Sequence, residues 1–138
     1  MKPRVLFLCT GNSARSQMAE GWLRHLAGER FEAFSAGTHP VGLNPGSVEA
    51  MAEVGVDISQ YRSKNASEFL SQSFDYVITV CDRAKETCPR WSGAVRLIHW
   101  SFDDPAAVSD TTERRQVFRR VRDEIAASVR EFLAMTTA

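Results

Sequence analysis

The apolar run Val5-Leu6-Phe7-Leu8 stops abruptly at Cys9-Thr10-Gly11-Asn12-Ser13-Ala14-Arg15-Ser16, and the residues beyond it set Met18, Ala19, Trp22, Leu23 and Leu26 at helical spacing. A strand that turns through small and polar residues into a helix buries both of its apolar sides only in a layered α/β fold. The rest of the chain repeats that alternation. Residues 4–8 read as the first strand, 16–27 as the first helix and 31–36 as the second strand. Asn44-Pro45 supplies an N-cap followed by proline at the first helical position, opening a helix that runs to about Val54 and ends at Gly55. Residues 76–80 form a continuous apolar strand that stops at Cys81, and 95–99 a shorter one, followed by the turn-rich stretch 101–109. Asp110-Thr111-Thr112-Glu113 has the pattern of a capping box ahead of a long last helix, whose inner stripe is Val117, Phe118, Val121, Ile125, Val129, Phe132 and Leu133. The class is therefore α/β, a parallel sheet covered by helices on both faces in three layers.

A chain of 138 residues fits one domain, 1–138, with a core that needs no disulfide staples. Seventeen basic residues balance 17 acidic ones. With no long run of like charge, neither nucleic acid nor an anionic membrane is an expected partner, and any anion binding is local. The opening Met1-Lys2-Pro3-Arg4 imitates a secretory signal, but the apolar run behind it is too short, so a cytoplasmic protein is expected. Three cysteines in such a chain point to nucleophilic or redox chemistry rather than a structural framework.

Cys9 is the first candidate. Backbone amides in a small-residue turn and at a helix N-terminus converge on one point and favour negative charge there. The same field would lower a thiol from about 8.5 to roughly 3.5–7.5. Arg15 adds a planar fork for two oxygens of a bound oxyanion. In such sheets ligands bind beyond the carboxyl ends of the strands, so Cys9 and Cys81 are expected to open onto the same edge.

Cys81-Asp82-Arg83-Ala84-Lys85-Glu86-Thr87-Cys88-Pro89 carries the second and third thiols in a charged segment expected to be exposed, partly helical and able to move. A nucleophile, an attacking thiol and a resolving thiol are the parts of a disulfide relay. His25, His39 and His99 show no ligand spacing relative to the thiols, so no metal and no cofactor is expected. In His99-Trp100-Ser101-Phe102-Asp103-Asp104-Pro105-Ala106, Asp104 is the candidate acid for protonating a leaving oxygen, with Pro105 fixing the backbone after it. Trp22 fits the buried face of the first helix, His25 a solvated one, and Trp91 either packs on the cysteine segment or is exposed.

The stretch from Cys9 through Trp22 resembles the opening of thioredoxin-coupled arsenate reductases, which share the low-molecular-weight tyrosine phosphatase fold. The likeness continues through Ser35-Ala36-Gly37, Asn44-Pro45, Asp57-Ile58-Ser59, the segment from Cys81 to Cys88, Phe102 to Ala106 and Arg120 to Ile125. It implies a four-stranded parallel sheet and a substrate, arsenate, held by Thr10, Gly11, Asn12, Ser13, Ala14 and Arg15, with phosphate and sulfate as competing oxyanions. It also implies roles: Cys9 attacks, Asp104 protonates the departing oxygen, Ser16 stabilises the thiolate and Asn12 braces the loop. Cys81 then attacks the Cys9 adduct, Cys88 resolves the Cys9–Cys81 disulfide, and thioredoxin reduces the Cys81–Cys88 disulfide of a monomer.

Two positions depart from the pattern. Ala14 stands where relatives often have a further cysteine. Lys64 stands where some have a carboxylate that, with residues matching Asn12, Glu20 and Ser35, holds potassium, so an ammonium is expected to replace the cation. The second reading is a phosphatase of the same fold acting through a Cys9 phosphoenzyme. Against it, the rim Thr38-His39-Pro40-Val41-Gly42-Leu43 has only His39, and Asp103-Asp104-Pro105 is not followed by an aromatic pair.

Overall fold

The computed structural model describes residues 2–82, 91–92 and 94–136. Four strands, β1 (Arg4–Cys9), β2 (Glu32–Gly37), β3 (Phe74–Thr79) and β4 (Ala94–His99), form one parallel sheet in the order β2-β1-β3-β4. Three α-helices accompany them, α1 (Arg15–Ala27), α2 (Pro45–Glu53) and α3 (Thr111–Thr136), with short 3-10 helices at Ala66–Phe69 and Pro105–Ala107. The α/β class and the four-stranded parallel sheet stand as read.

Period-two alternation sorts the strand residues onto two faces. Val5, Phe7, Ile78 and Val80 join Met18, Trp22, Ala50, Phe118, Val121 and Ile125 in the larger core, where α1, α2 and α3 pack together. Leu6, Leu8, Ala36 and Val77 face the other way, toward Ala66 and Phe69 of the 3-10 helix. Trp91, whose environment the sequence left open, packs edge-on against Phe74 on this second face, 6.1 Å between centroids. Trp22 is buried in the first core and donates from Nε1 to the Arg122 carbonyl at 3.1 Å.

Boundaries differ by a residue or two. β1 extends to Cys9 because Cys9 stays in register with Gly37 of β2. β3 starts at Phe74 and ends at Thr79, so Cys81 lies two residues beyond the strand rather than directly after it. The Val80 amide nevertheless keeps a bond to the Leu8 carbonyl, 3.1 Å, which holds the exit of β3 beside the exit of β1. Asn44 caps α2 by accepting from the Gly46 amide at 2.8 Å, and Gly55, at φ 80°, follows where the chain needs the left-handed region. Asp110 accepts from the Glu113 amide at 2.8 Å, the N-cap half of the expected box.

This strand order puts the switch point between β1 and β3: the chain leaves β1 to build β2 on one side, then returns to build β3 and β4 on the other. A crevice opens at the carboxyl edge there. Among the described residues no helix is long and apolar enough to cross a membrane.

Candidate functional site

The loop between β1 and α1 is built by where its carbonyls go. The carbonyl of Cys9 accepts from Thr38 N–H (3.3 Å), that of Thr10 from His39 N–H (2.8 Å) and that of Gly11 from Val41 N–H (3.1 Å) and the Ser63 hydroxyl (3.1 Å). The Asn12 carbonyl accepts from Gln17 Nε2 (3.1 Å), Ser13 from Asn44 N–H (3.0 Å), and Ala14 from Met18 N–H (2.9 Å). Every one of these carbonyls is thus engaged away from the cavity. In a planar trans peptide the following N–H points the opposite way, so the amides of Gly11 through Ala14 face inward as an anion-binding nest. The Asn12 amide shows the direction: it donates to Cys9 Sγ at 3.1 Å.

Asn12 is the keystone of this turn. It is fully buried at φ 46°, a left-handed conformation that asparagine tolerates better than most residues. Its Oδ1 accepts from Lys64 N–H (2.8 Å) and Gln17 Nε2 (3.1 Å), and its Nδ2 donates to Ser16 Oγ (2.9 Å). Because Ser16 Oγ accepts from Asn12, its own hydrogen is free to turn onto Cys9 Sγ, 2.8 Å away, when the sulfur is a thiolate.

Cys9 itself is a buried free thiol. Burial pushes it up from its ordinary value, against the lowering by Ser16, the Asn12 amide and the charge of Arg15. The expectation of a net depression is therefore corrected. The polar donors have the anticipated sign, but removal of the sulfur from water outweighs them.

Arg15 is also buried, and its Nη1 donates to the Phe102 carbonyl at 3.1 Å, across 87 residues of sequence. Nη2 lies 3.7 Å from Oδ2 of Asp104. Asp104 Oδ1 accepts from the Ala106 amide at 3.0 Å, capping the 3-10 helix that Pro105 opens. Cys9, Thr10, Gly11, Asn12, Ser13, Ala14, Arg15 and Asp104 all line one cavity of about 780 Å³, closed on its other side by Val117 and Arg120 of α3. Ser16 stands behind the loop, fully buried.

Cys81 is fully buried, is disulfide-bonded and does not line this cavity. Cys88 lies outside the described residues.

Behind the loop, Lys64 occupies the place anticipated for an ammonium. Its Nζ donates to the Arg62 carbonyl (2.6 Å) and to Ser35 Oγ (3.5 Å), and lies 3.9 Å from Glu20 Oε1. Ser35 in turn donates to that same Glu20 oxygen at 2.6 Å. Burial pulls the Lys64 ammonium below its usual value, and Glu20 works against the fall.

Three contributors carried no role in the sequence reading. Gln17, fully buried, ties Asn12 to the Arg62 carbonyl (3.0 Å), and its signal is a polar residue on the core side of a helix. Gly37 lets β2 pass against the loop: a Cβ there would lie 2.4 Å from the Thr10 carbonyl oxygen and 2.8 Å from the Asn12 nitrogen. Arg120 holds Asp103, Nη2 to Oδ2 at 2.8 Å.

The site is thus a nest of backbone amides around a cysteine, set at the switch point of a four-stranded parallel sheet in an α/β protein. The low molecular weight phosphotyrosine protein phosphatase family matches residues 4–138, and the chain belongs to that family. Within it the chain is similar to arsenate reductases. That of Halalkalibacterium halodurans is 46% identical over 132 residues, covering 95% of both chains. A solved arsenate reductase in the phosphate-binding state superposes with a TM-score of 0.84 at 32% identity, covering 99% of this chain and 100% of that one. The thioredoxin-dependent arsenate reductase of Corynebacterium glutamicum gives a TM-score of 0.74 at 30% identity, covering 97% of this chain and 61% of that longer chain.

Proposed function

We propose that the protein reduces arsenate to arsenite through Cys9, Cys81 and Cys88, with thioredoxin as the external dithiol. The observation that carries the reading is the cysteine held inside an amide nest with Arg15 and Asp104 on one cavity. Similarity to named arsenate reductases over 95% of the chain supports it.

The chemistry balances in three transfers. The Cys9 thiolate attacks arsenic while the nest and Arg15 hold the oxygens, and an arsenate oxygen leaves as water with the proton of Asp104. The Cys81 thiolate attacks Cys9 sulfur. The electron pair of the sulfur–arsenic bond passes to arsenic, which leaves as arsenite, and a Cys9–Cys81 disulfide forms. The Cys88 thiolate attacks Cys81, releasing Cys9 and leaving a disulfide for thioredoxin to reduce. Burial of the Cys9 thiol makes the Ser16 hydroxyl and the incoming anion's own site, rather than solvent, the stabilisers of its thiolate.

The phosphatase reading shares Cys9, Arg15 and Asp104 but meets a cavity in which no described lining residue is aromatic. An aryl phosphate would find Val41, Val108 and Val117 instead. Arsenate-dependent NADPH oxidation in the presence of thioredoxin and thioredoxin reductase tests the choice. Turnover is expected, with at most slow hydrolysis of small aryl phosphates. Absent NADPH oxidation combined with Cys9-dependent aryl phosphate hydrolysis would replace the reductase reading.

Lys64 yields a separate expectation. With an ammonium already set against Glu20 and Ser35, exchanging sodium for potassium at constant ionic strength leaves kcat/KM unchanged. A several-fold rise in potassium would show that the ammonium does not substitute for the ion.

A further inference from the structure

Asp104 enters the cavity from a stretch, 101–109, that contains neither a strand nor an α-helix. Its backbone is held on one side by Arg15, which takes the Phe102 carbonyl, and on the other by the cap that Asp104 makes to Ala106. Between these two anchors lies Asp103. Its Oδ2 accepts from Arg120 Nη2 at 2.8 Å, and the same guanidinium reaches Glu124 Oε2 at 2.9 Å, one turn along α3. Glu113, Val117 and Arg120 follow i, i+4, i+7 spacing, so a single face of α3 walls the cavity and grips the stretch one residue before Asp104.

We propose that Arg120 is a positioning residue for Asp104: by fixing Asp103 it keeps the neighbouring carboxyl beside Arg15, where a proton can be handed to the departing oxygen. The proposal rests on the reading of Asp104 as the acid. The Arg120–Asp103 pair is about half exposed, at 47% and 46%, so it contributes little to folding. Proton transfer is far more sensitive, because a displacement of about an ångström is enough to lose a well-placed group. Direct attraction of substrate by Arg120 is the competing role, and it is blunted by the two carboxylates already bound to the guanidinium.

The test is a single turnover: pre-reduced protein is mixed with arsenate without an external reductant, and the loss of free thiols is followed in time. Arg120→Gln is expected to slow this step roughly tenfold while the Kd for inorganic phosphate stays within about twofold of native. Asp103→Asn should reproduce the loss, and Arg120→Lys should restore part of it. In an Asp104→Asn background, Arg120→Gln should cost nothing further, because the group it positions is gone. A full additional loss in that background, a weakened phosphate Kd, or a native rate for Arg120→Gln would each overturn the proposal. A native rate for Asp104→Asn alone would instead remove the general-acid reading, and this role for Arg120 with it.

Discussion

Cys88→Ser is expected to release about one arsenite per chain and then stop, whereas Cys81→Ser should lower the rate from the first turnover by on the order of 10⁴-fold, the scale on which removal of a reacting group acts. The difference follows from position. In the proposed relay Cys81 takes the adduct off Cys9, so without it no electrons would reach arsenic, and Cys88 acts only after arsenite has gone. The stall in Cys88→Ser is expected from the burial of Cys9, which at 3% exposure keeps its end of a Cys9–Cys81 disulfide out of reach of a protein dithiol. Rapid-quench assay of arsenite, with and without thioredoxin, measures the burst. Sustained thioredoxin-driven turnover by Cys88→Ser would show that the Cys9–Cys81 disulfide is reduced directly, and the third thiol would lose its role.

Gly37→Ala is expected to cut kcat/KM by roughly a hundredfold or more while destabilising the fold by only about 1–3 kcal/mol. The new methyl group would lie 2.4 Å from the Thr10 carbonyl oxygen and 2.8 Å from the Asn12 nitrogen. Both are backbone atoms, so no side-chain rotation relieves the contact. Gly37 cannot retreat easily either, since its amide donates to the Lys64 carbonyl at 2.9 Å and its Cα is in register with Cys9. The loop has to give way, and the part that moves includes the Asn12 amide that donates to Cys9 sulfur. Thermal melts separate the two effects: a variant that remains folded at assay temperature yet fails in single turnover has lost the shape of the nest. Near-native activity would show that the loop tolerates displacement.

The strand-loop-helix unit at Cys9 was legible because periodicity changes from apolar run to helical spacing across eight residues whose chemistry suits an anion. Asp104 was legible from Asp-Pro beside a strand end. What escaped were partners fixed by tertiary contact. Gly37 matters for what passes against it, Gln17 for joining Asn12 to the Arg62 carbonyl 45 residues away, and Arg120 for a loop 17 residues away, none of which local pattern encodes. The Cys9 pKa direction was misread for a related reason: hydrogen-bond donors can be counted in a motif, but depth of burial belongs to the whole fold.

The outward engagement of every carbonyl from Cys9 to Ala14 ties the shape of the nest to the surrounding scaffold. A nest so tied has little ordering left to do on binding, and a site of that kind gains little discrimination between tetrahedral anions as alike as phosphate and arsenate. Under the proposed chemistry the choice is made later and by a different property. Thiols can drive two electrons onto arsenic(V) but not onto phosphorus(V), so phosphate occupies the site as a reversible visitor and the enzyme's fidelity resides in the redox step, with ambient phosphate setting how much arsenate is needed to be seen.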